Sequence, residues 1–158
     1  MTDRAPGAVD IRIEPVTKAN RALVTALRLA PEQVDFVAGN ADSLREARSD
    51  RDARPRAVMA GDQLVGFLMY DAPRDDDEAP IYRFMVDRAW QGRGYGKAAL
   101  RAVLEEIQGL GHVRHVSICY EPENEAARRL YRSAGFVEEG IDEDGEMIAD
   151  LVLAPADR

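Results

Sequence analysis

Gln91-Gly92-Arg93-Gly94-Tyr95-Gly96-Lys97 is the stretch from which the rest of the chain can be read. A short apolar run, Ile81-Tyr82-Arg83-Phe84-Met85-Val86, precedes it, and an amphipathic run from Ala98 to Leu110 follows. Three glycines within five residues allow a sharp turn and a close approach of backbone to a ligand. The following helix aims its unpaired N–H groups and the positive end of its dipole back at that turn. A strand, a glycine turn and a helix in this order form a site for phosphate.

Working outward, residues 1–8 hold Pro6 and Gly7 without periodicity and read as a flexible tail, with one domain expected over residues 9–158. Val9 to Val16 alternates apolar and polar residues as a half-buried strand does. Asn20 is placed to cap a helix with Leu23, Leu27 and Ala30 on one face. Pro31 opens a second helix that turns Val34, Phe36 and Val37 inward until Gly39, and a third runs from about Ala41 to Ala47. Charges crowd Arg48 to Arg56 around Pro55, which predicts an exposed connection. Ala57-Val58-Met59-Ala60 and Gln63 to Tyr70 flank Gly61-Asp62 as the arms of a hairpin. Past the acidic loop Pro73 to Glu78 comes the strand Ile81 to Val86, central and interrupted in character.

Beyond the glycine turn, Leu100, Val103, Leu104, Ile107 and Leu110 share one helical face. Val113 to Tyr120 is the next strand, parallel to the one before the turn because a helix joins them. Asn124 caps a helix with Ala127, Leu130, Tyr131 and Ala134 on one side, closed by Gly135. Phe136 to Ile141 and Met147 to Leu153 form a last hairpin around Asp142-Glu143-Asp144-Gly145.

With 158 residues, 46% of them apolar and 32% charged, the chain suits a globular domain with a sizeable core. Its net charge of −8, from 29 acidic and 21 basic residues, argues against a nucleic-acid or anionic membrane partner and favours a cationic one. No apolar run approaches the roughly 20 residues that span a bilayer, and Met1 to Ala8 lacks the basic-then-apolar order of a signal peptide, so a cytoplasmic location is expected. The single cysteine, Cys119, lies in an apolar strand-like run and reads as a small buried hydrophobe.

Three phosphate ligands compete for the glycine turn. A nucleoside triphosphate loop needs a Ser or Thr after Gly-Lys to hold magnesium, and Ala98 follows Lys97 here. Gly94-x-Gly96-x-x-Ala99 matches a loosened dinucleotide fingerprint, with Glu121 following the next strand at roughly the distance of a ribose-binding acid. Against it, Asp87 to Gln91 intervene between strand and turn, and too few strand–helix units follow to complete a dinucleotide sheet. The third is the diphosphate of coenzyme A.

Gln91-x-x-Gly94-x-Gly96 is similar to the acyl-CoA signature of the GNAT superfamily of N-acyltransferases. The resemblance covers most of the chain, since Arg83-Phe84-Met85-Val86-Asp87, Asn124-x-x-Ala127-x-x-Leu130-Tyr131 and Gly135-Phe136 stand where that family has them. It implies an α/β fold: a mixed, mostly antiparallel sheet of six to seven strands, helices on both faces, and a central V-shaped splay between two parallel strands. It also implies acetyl-CoA as co-substrate, with no metal, and allows a homodimer. Main-chain groups of Phe84, Met85 and Val86 would then bond the pantetheine, and amides of Gln91, Gly92, Arg93, Gly94, Tyr95, Gly96 and Lys97 the pyrophosphate. Arg93 and Lys97 could add charge, and Asn124 would orient the cofactor or simply cap its helix. Tyr131 matches the family's proton donor to the departing thiolate. Some family members carry a glutamate base on the strand before the turn, but Tyr82 and Arg83 stand there in this sequence. Glu121, Glu123 or a water chain remain as alternatives.

Pro31-Glu32-Gln33-x-x-Phe36-Val37-Ala38-x-Asn40-x-x-Ser43-Leu44-x-Glu46-Ala47 and Tyr120-Glu121-Pro122-Glu123-Asn124 resemble the bacterial polyamine and diamine acetyltransferase branch. The resemblance implies a small-molecule amine acceptor of spermidine or spermine type, met by Glu32, Asn40, Tyr82 and Glu121. Acetylation of another amine, and a CoA-binding sensor without catalysis, are the other functions compatible with the sequence.

Overall fold

The structure is a computed structural model that describes residues 10–28 and 39–154. Seven strands form one sheet in the order β1-β2-β3-β4-β5-β7-β6. They are β1 (Ile11–Pro15), β2 (Ala53–Ala60), β3 (Gln63–Asp71), β4 (Glu78–Val86), β5 (His115–Tyr120), β6 (Val137–Ile141) and β7 (Met147–Val152). Every neighbouring pair is antiparallel except β4 and β5, which the helix α3 (Tyr95–Gly109) joins as a parallel pair requires. The other helices are α1 (Arg21–Ala26), α2 (Asn40–Ser49) and α4 (Glu125–Ser133). This is the mixed, mostly antiparallel sheet expected from the sequence.

Period-2 strands and period-3.6 helices divide the core between two faces of the sheet. On one face, Ala99, Leu100, Val103 and Ile107 of α3 and Tyr131 of α4 pack with Leu68, Tyr70, Ile81, Val116, Ile118 and Tyr120. On the other, Val24 of α1 and Leu44 of α2 pack with Ala57, Phe67, Met69 and Met85. Glu106 ties α3 to the sheet, accepting from Arg56 Nε at 3.0 Å and from the Tyr70 hydroxyl.

Four local expectations are corrected. Val24 rather than Leu23 is the inward residue of α1; Leu23 is 60% exposed, because this six-residue helix is oriented by the packing of Val24 on Phe67 and Met69. The Asn20 side chain does not cap α1. It accepts from Thr17 N at 2.8 Å and donates to Pro15 O at 3.1 Å, closing the turn from β1 instead. The charged segment Arg48 to Arg56 is not a plain connection: α2 continues to Ser49 and β2 begins at Ala53. Pro55 is tolerated in that strand because its main chain faces Val16, just past the end of β1, so its missing N–H leaves the β2–β3 ladder intact and costs only a bond at the end of the β1 pairing. Finally, α3 begins at Tyr95, not Ala98, which puts Gly96 and Lys97 in its first turn.

The edge strand β6 is clamped to α4 by Glu138. Its carboxylate accepts from Arg128 Nε at 2.7 Å, Arg132 at 3.3 Å and the Tyr120 hydroxyl at 3.1 Å. The Arg128 hydrogen bond leads in holding its pKa down, from the ordinary 4.5 to about 2. A depressed carboxylate stabilises the fold fully above its unfolded pKa and loses that contribution as pH falls through the folded value. Glu138→Gln is therefore expected to lower Tm at neutral pH and to flatten the decline of Tm between pH 4.5 and about 2, followed by circular dichroism melts across that window.

Candidate active site

The site begins as a break in strand pairing. β4 and β5 are in register from Glu78↔His115 to Ile81↔Ile118, and there the ladder ends. Beyond it, β4 stays with β3 as far as Val86↔Gly66, and β5 stays with β7 as far as Tyr120↔Met147. On β4 the break coincides with a bulge: Tyr70 pairs with Ile81 and Met69 with Arg83, leaving Tyr82 as the extra residue. A bulge bends its strand and increases the local twist, which turns Tyr82 to Val86 away from β5. Gly66 keeps that half of β4 close to β3, since a Cβ there would lie 2.6 Å from Met85 O.

The splay opens a cleft of about 530 Å³, with Tyr82 to Val86 on one wall and Cys119, Tyr120 and Glu121 on the other. Asp87 N donates to Val65 O at 2.7 Å, so by antiparallel alternation Met85 turns its main chain to β3 while Phe84 and Val86 turn theirs to the gap. Gln91 Nε2 holds the Val86 carbonyl at 2.8 Å. An extended ligand carrying amides would restore the missing edge as an added strand does.

At the open end of the V, a 3-10 turn (Arg88–Trp90) leads from β4 into the glycines. Asp87 fixes that turn, accepting from Ala89 N at 2.9 Å through one oxygen and from Arg28 N at 2.7 Å through the other. Gly94 is the N-cap of α3 with φ 81°, a conformation that glycine adopts without penalty. The first-turn N–H groups of α3 thus face the cleft lined by Gln91, Gly92, Gly94, Tyr95 and Gly96. The Arg93 guanidinium lies 5.2 Å from the Trp90 ring centroid, and the Arg93 and Lys97 side chains are exposed outside the lining. The N-terminus of α4 opens on the same cleft, with Asn124 accepting from Ala127 N at 3.1 Å as its cap.

Tyr131 lines the cleft from α4 and is 6% exposed. Its ring meets Phe84 edge-on at 6.5 Å and Tyr120 at 5.3 Å, and its hydroxyl makes no hydrogen bond among the described residues. Burial first, and the Tyr120 phenol second, push its pKa well above that of an ordinary tyrosine. A neutral, unpartnered phenol facing a cavity can donate its proton to a developing anion.

The opposite side of the gap carries the acceptor candidates. Tyr82 lines the cleft while its hydroxyl donates to Asp71 at 2.9 Å. Glu121 also lines it. Asn40 is buried and engaged, with Nδ2 donating to Val24 O at 2.9 Å, and is not part of the lining. Glu32 and the helix expected from Pro31 lie outside the described residues. Cys119 is corrected: it is exposed and lines the cleft, because alternation along β5 buries Ile118 and Tyr120 and turns the thiol to the other face. Burial and the carboxylates of Glu146, Asp142 and Glu78 raise its pKa, so it is no ready thiolate.

Glu146 lines the cleft and escaped the sequence reading. The hairpin that contains it was legible, but nothing in the sequence says that β7 lies beside β5. Pairing of Met147 with Tyr120 sets Glu146 next to Glu121 at the cleft mouth.

Residues 21–136 match the Acetyltransferase (GNAT) family, and the chain belongs to it. It is an acetyl-CoA-dependent N-acetyltransferase. The spermine/spermidine N(1)-acetyltransferase of Bacillus subtilis is 28% identical to it over 147 residues, 89% of this chain and 97% of that protein. The N-alpha-acetyltransferase RimI of Mycobacterium tuberculosis is 30% identical over 135 residues, 81% of this chain and 82% of its own. Among solved structures, aminoglycoside acetyltransferase AAC(6')-Ib in complex with coenzyme A is similar with a TM-score of 0.77 at 16% identity, over 90% of this chain and 95% of that one. At that identity the likeness carries the fold.

Gly96 offers a test of the cradle. A Cβ there would meet Leu130 Cδ2 at 3.7 Å and Val86 Cγ2 at 3.9 Å, ordinary contacts that the fold accepts, but it would occupy cleft space. Gly96→Ala should keep or raise Tm, as alanine is favoured in helices by up to about 1 kcal/mol. It should weaken acetyl-CoA binding about tenfold or more, given roughly 1–3 kcal/mol for an added methyl in a filled site. Calorimetric titration checks the second effect and thermal melts the first.

Proposed function

We propose that this enzyme acetylates a primary amine of a small polycation of the spermidine or spermine class. The observation that carries this reading is the similarity to the Bacillus enzyme along nearly the whole of both chains. It is supported by Glu121 and Glu146 at the mouth of the cleft, in a chain of net charge −8. Acidic groups at a cleft mouth draw in a polycation and orient it there.

Bound acetyl-CoA supplies an activated thioester. In this reading Phe84 and Val86 hold the pantetheine amides through main-chain groups, and the α3 N-terminus with Gln91, Gly92 and Gly94 holds the pyrophosphate. Asn124, as cap, keeps the α4 N-terminus ordered beside the same arm. The amine attacks the thioester carbonyl directly, the new C–N bond replaces the C–S bond, and the Tyr131 hydroxyl gives its proton to the sulfur. Burial keeps that phenol protonated for the task. The enzyme works in the cytoplasm in this reading, and a homodimer is checked by sedimentation.

A second reading, acetylation of a peptide N-terminus, is favoured by the similarity to RimI. Steady-state assays over spermidine, spermine, diamines, an aminoglycoside and N-terminal peptides separate the two, with turnover confined to peptides overturning the polyamine reading. Tyr131→Phe should lower kcat by about 10²-fold, the ordinary contribution of a general acid, and leave acetyl-CoA affinity unchanged. A wild-type protein that binds acetyl-CoA and modifies no amine would instead be a sensor.

A further inference from the structure

The proton released by the acceptor needs a destination, and the sheet has two sides to offer one. Tyr120 and Met147 pack in the core on the α3 and α4 side, with Tyr131. Strand alternation puts the residues next to them, Cys119 within β5, Glu121 just after it and Glu146 just before β7, on the opposite side, toward α2. At the gap between β4 and β5 residues from both sides line one cavity.

Glu146 sits on a rigid turn. Asp142 Oδ1 accepts from both Asp144 N and Glu146 N at 2.9 Å, and Asp142 N donates to Glu146 O at 2.8 Å. Its own carboxylate makes no hydrogen bond or ion pair among the described residues, although it is half-buried in the wall of the cleft. Lining the same cavity, Tyr131 is 6% exposed, and its hydroxyl is also without a partner among the described residues. A free carboxylate and a buried free phenol on either side of one cavity match an acceptor that loses a proton and a leaving group that gains one.

We infer that Glu146 binds the acceptor's ammonium group and removes its proton, with Asp142 as the positioning residue that holds the Glu146 backbone. This rests on the amine-acetylating reading above and names the base for it. The carboxylate of Glu146 takes one proton from R–NH3⁺, giving the neutral amine whose lone pair forms the C–N bond. The nitrogen's second proton leaves after attack and restores the phenol of Tyr131, which has protonated the sulfur. The charged groups facing Glu146 are Glu121 beyond β5, Asp142 and Asp144 of its own turn, and Arg83 of β4, which is engaged by Glu46 of α2. Burial leads, with the three carboxylates adding to it and Arg83 opposing, to raise the pKa of Glu146. A raised carboxyl pKa moves the base toward the range where it still accepts a proton readily, and it sets an acid limb: activity falls as pH falls through that value.

The experiment is the pH profile of kcat/KM for spermidine in the wild type, Glu146→Gln, Glu146→Asp and Glu121→Gln, each with its Tm and its KM for acetyl-CoA. Glu146→Gln should lose about 10²-fold in kcat/KM together with the acid limb, at unchanged Tm and unchanged KM for acetyl-CoA. Glu146→Asp should recover the limb in part. An unaltered profile in Glu146→Gln, or loss of the limb in Glu121→Gln alone, overturns the assignment. If the wild type turns over a peptide N-terminus and no polyamine, the substrate reading falls, and the same four profiles on that peptide decide the role of Glu146 separately.

Discussion

Main-chain N–H and C=O groups in the middle of a sheet need partners on both edges, and β4 has them on both only as far as Ile81. Past that residue the strand is held from one side. The bulge at Tyr82 directs it outward, the close contact between Gly66 and Met85 keeps it on β3, and Asp87 ties its end to Arg28. β5 is held in turn by β7. Each strand is therefore stable without the other, so a hydrogen-bonding edge can stay open inside a folded protein.

Two helix N-termini converge on that opening, because α3 follows the end of β4 and α4 follows the end of β5. Parallel strands joined by a helix impose this arrangement, and the positive dipole ends come with it. The same geometry brings Tyr131 to the gap. Its depth depends on α4 lying flat on the sheet, where Arg128 and Glu138 hold the helix to the outermost strand. A clamp at the edge of the sheet thus governs a hydroxyl near its centre.

Most of this was legible where local chemistry and final structure agree. The glycine turn, the Asn124 cap, the hairpin at Gly61-Asp62 and the apolar face of α3 were all read correctly, since each depends on residues close in sequence. Much of what was misread depends on distant partners. Leu23 and Val24 are equally apolar, and only the packing of Val24 on β3 decides between them. Arg54 and Arg56 look like loop residues until Glu106 of α3 neutralises the second of them. Cys119 lies in an apolar run, yet its face of β5 is uncovered because β4 has moved away. Glu146 could not be found, since its neighbour Glu121 is supplied by a non-consecutive strand pairing.

The cleft is specified in two different languages. In the proposed reading its cofactor side is written in the path of the main chain, through the open edge at Phe84 and Val86 and the first turn of α3, and asks of most side chains only that strand and helix persist. The acceptor side proposed for it is written in side-chain identity, at Tyr82, Glu121 and Glu146, which line the cleft. Substitutions accumulate unequally on two such surfaces. Main-chain contacts of this kind would survive the replacement of most residues, the level of divergence at which the Bacillus enzyme stands with 28% identity, while exchanges on the α2 side would change the acceptor surface without disturbing a strand.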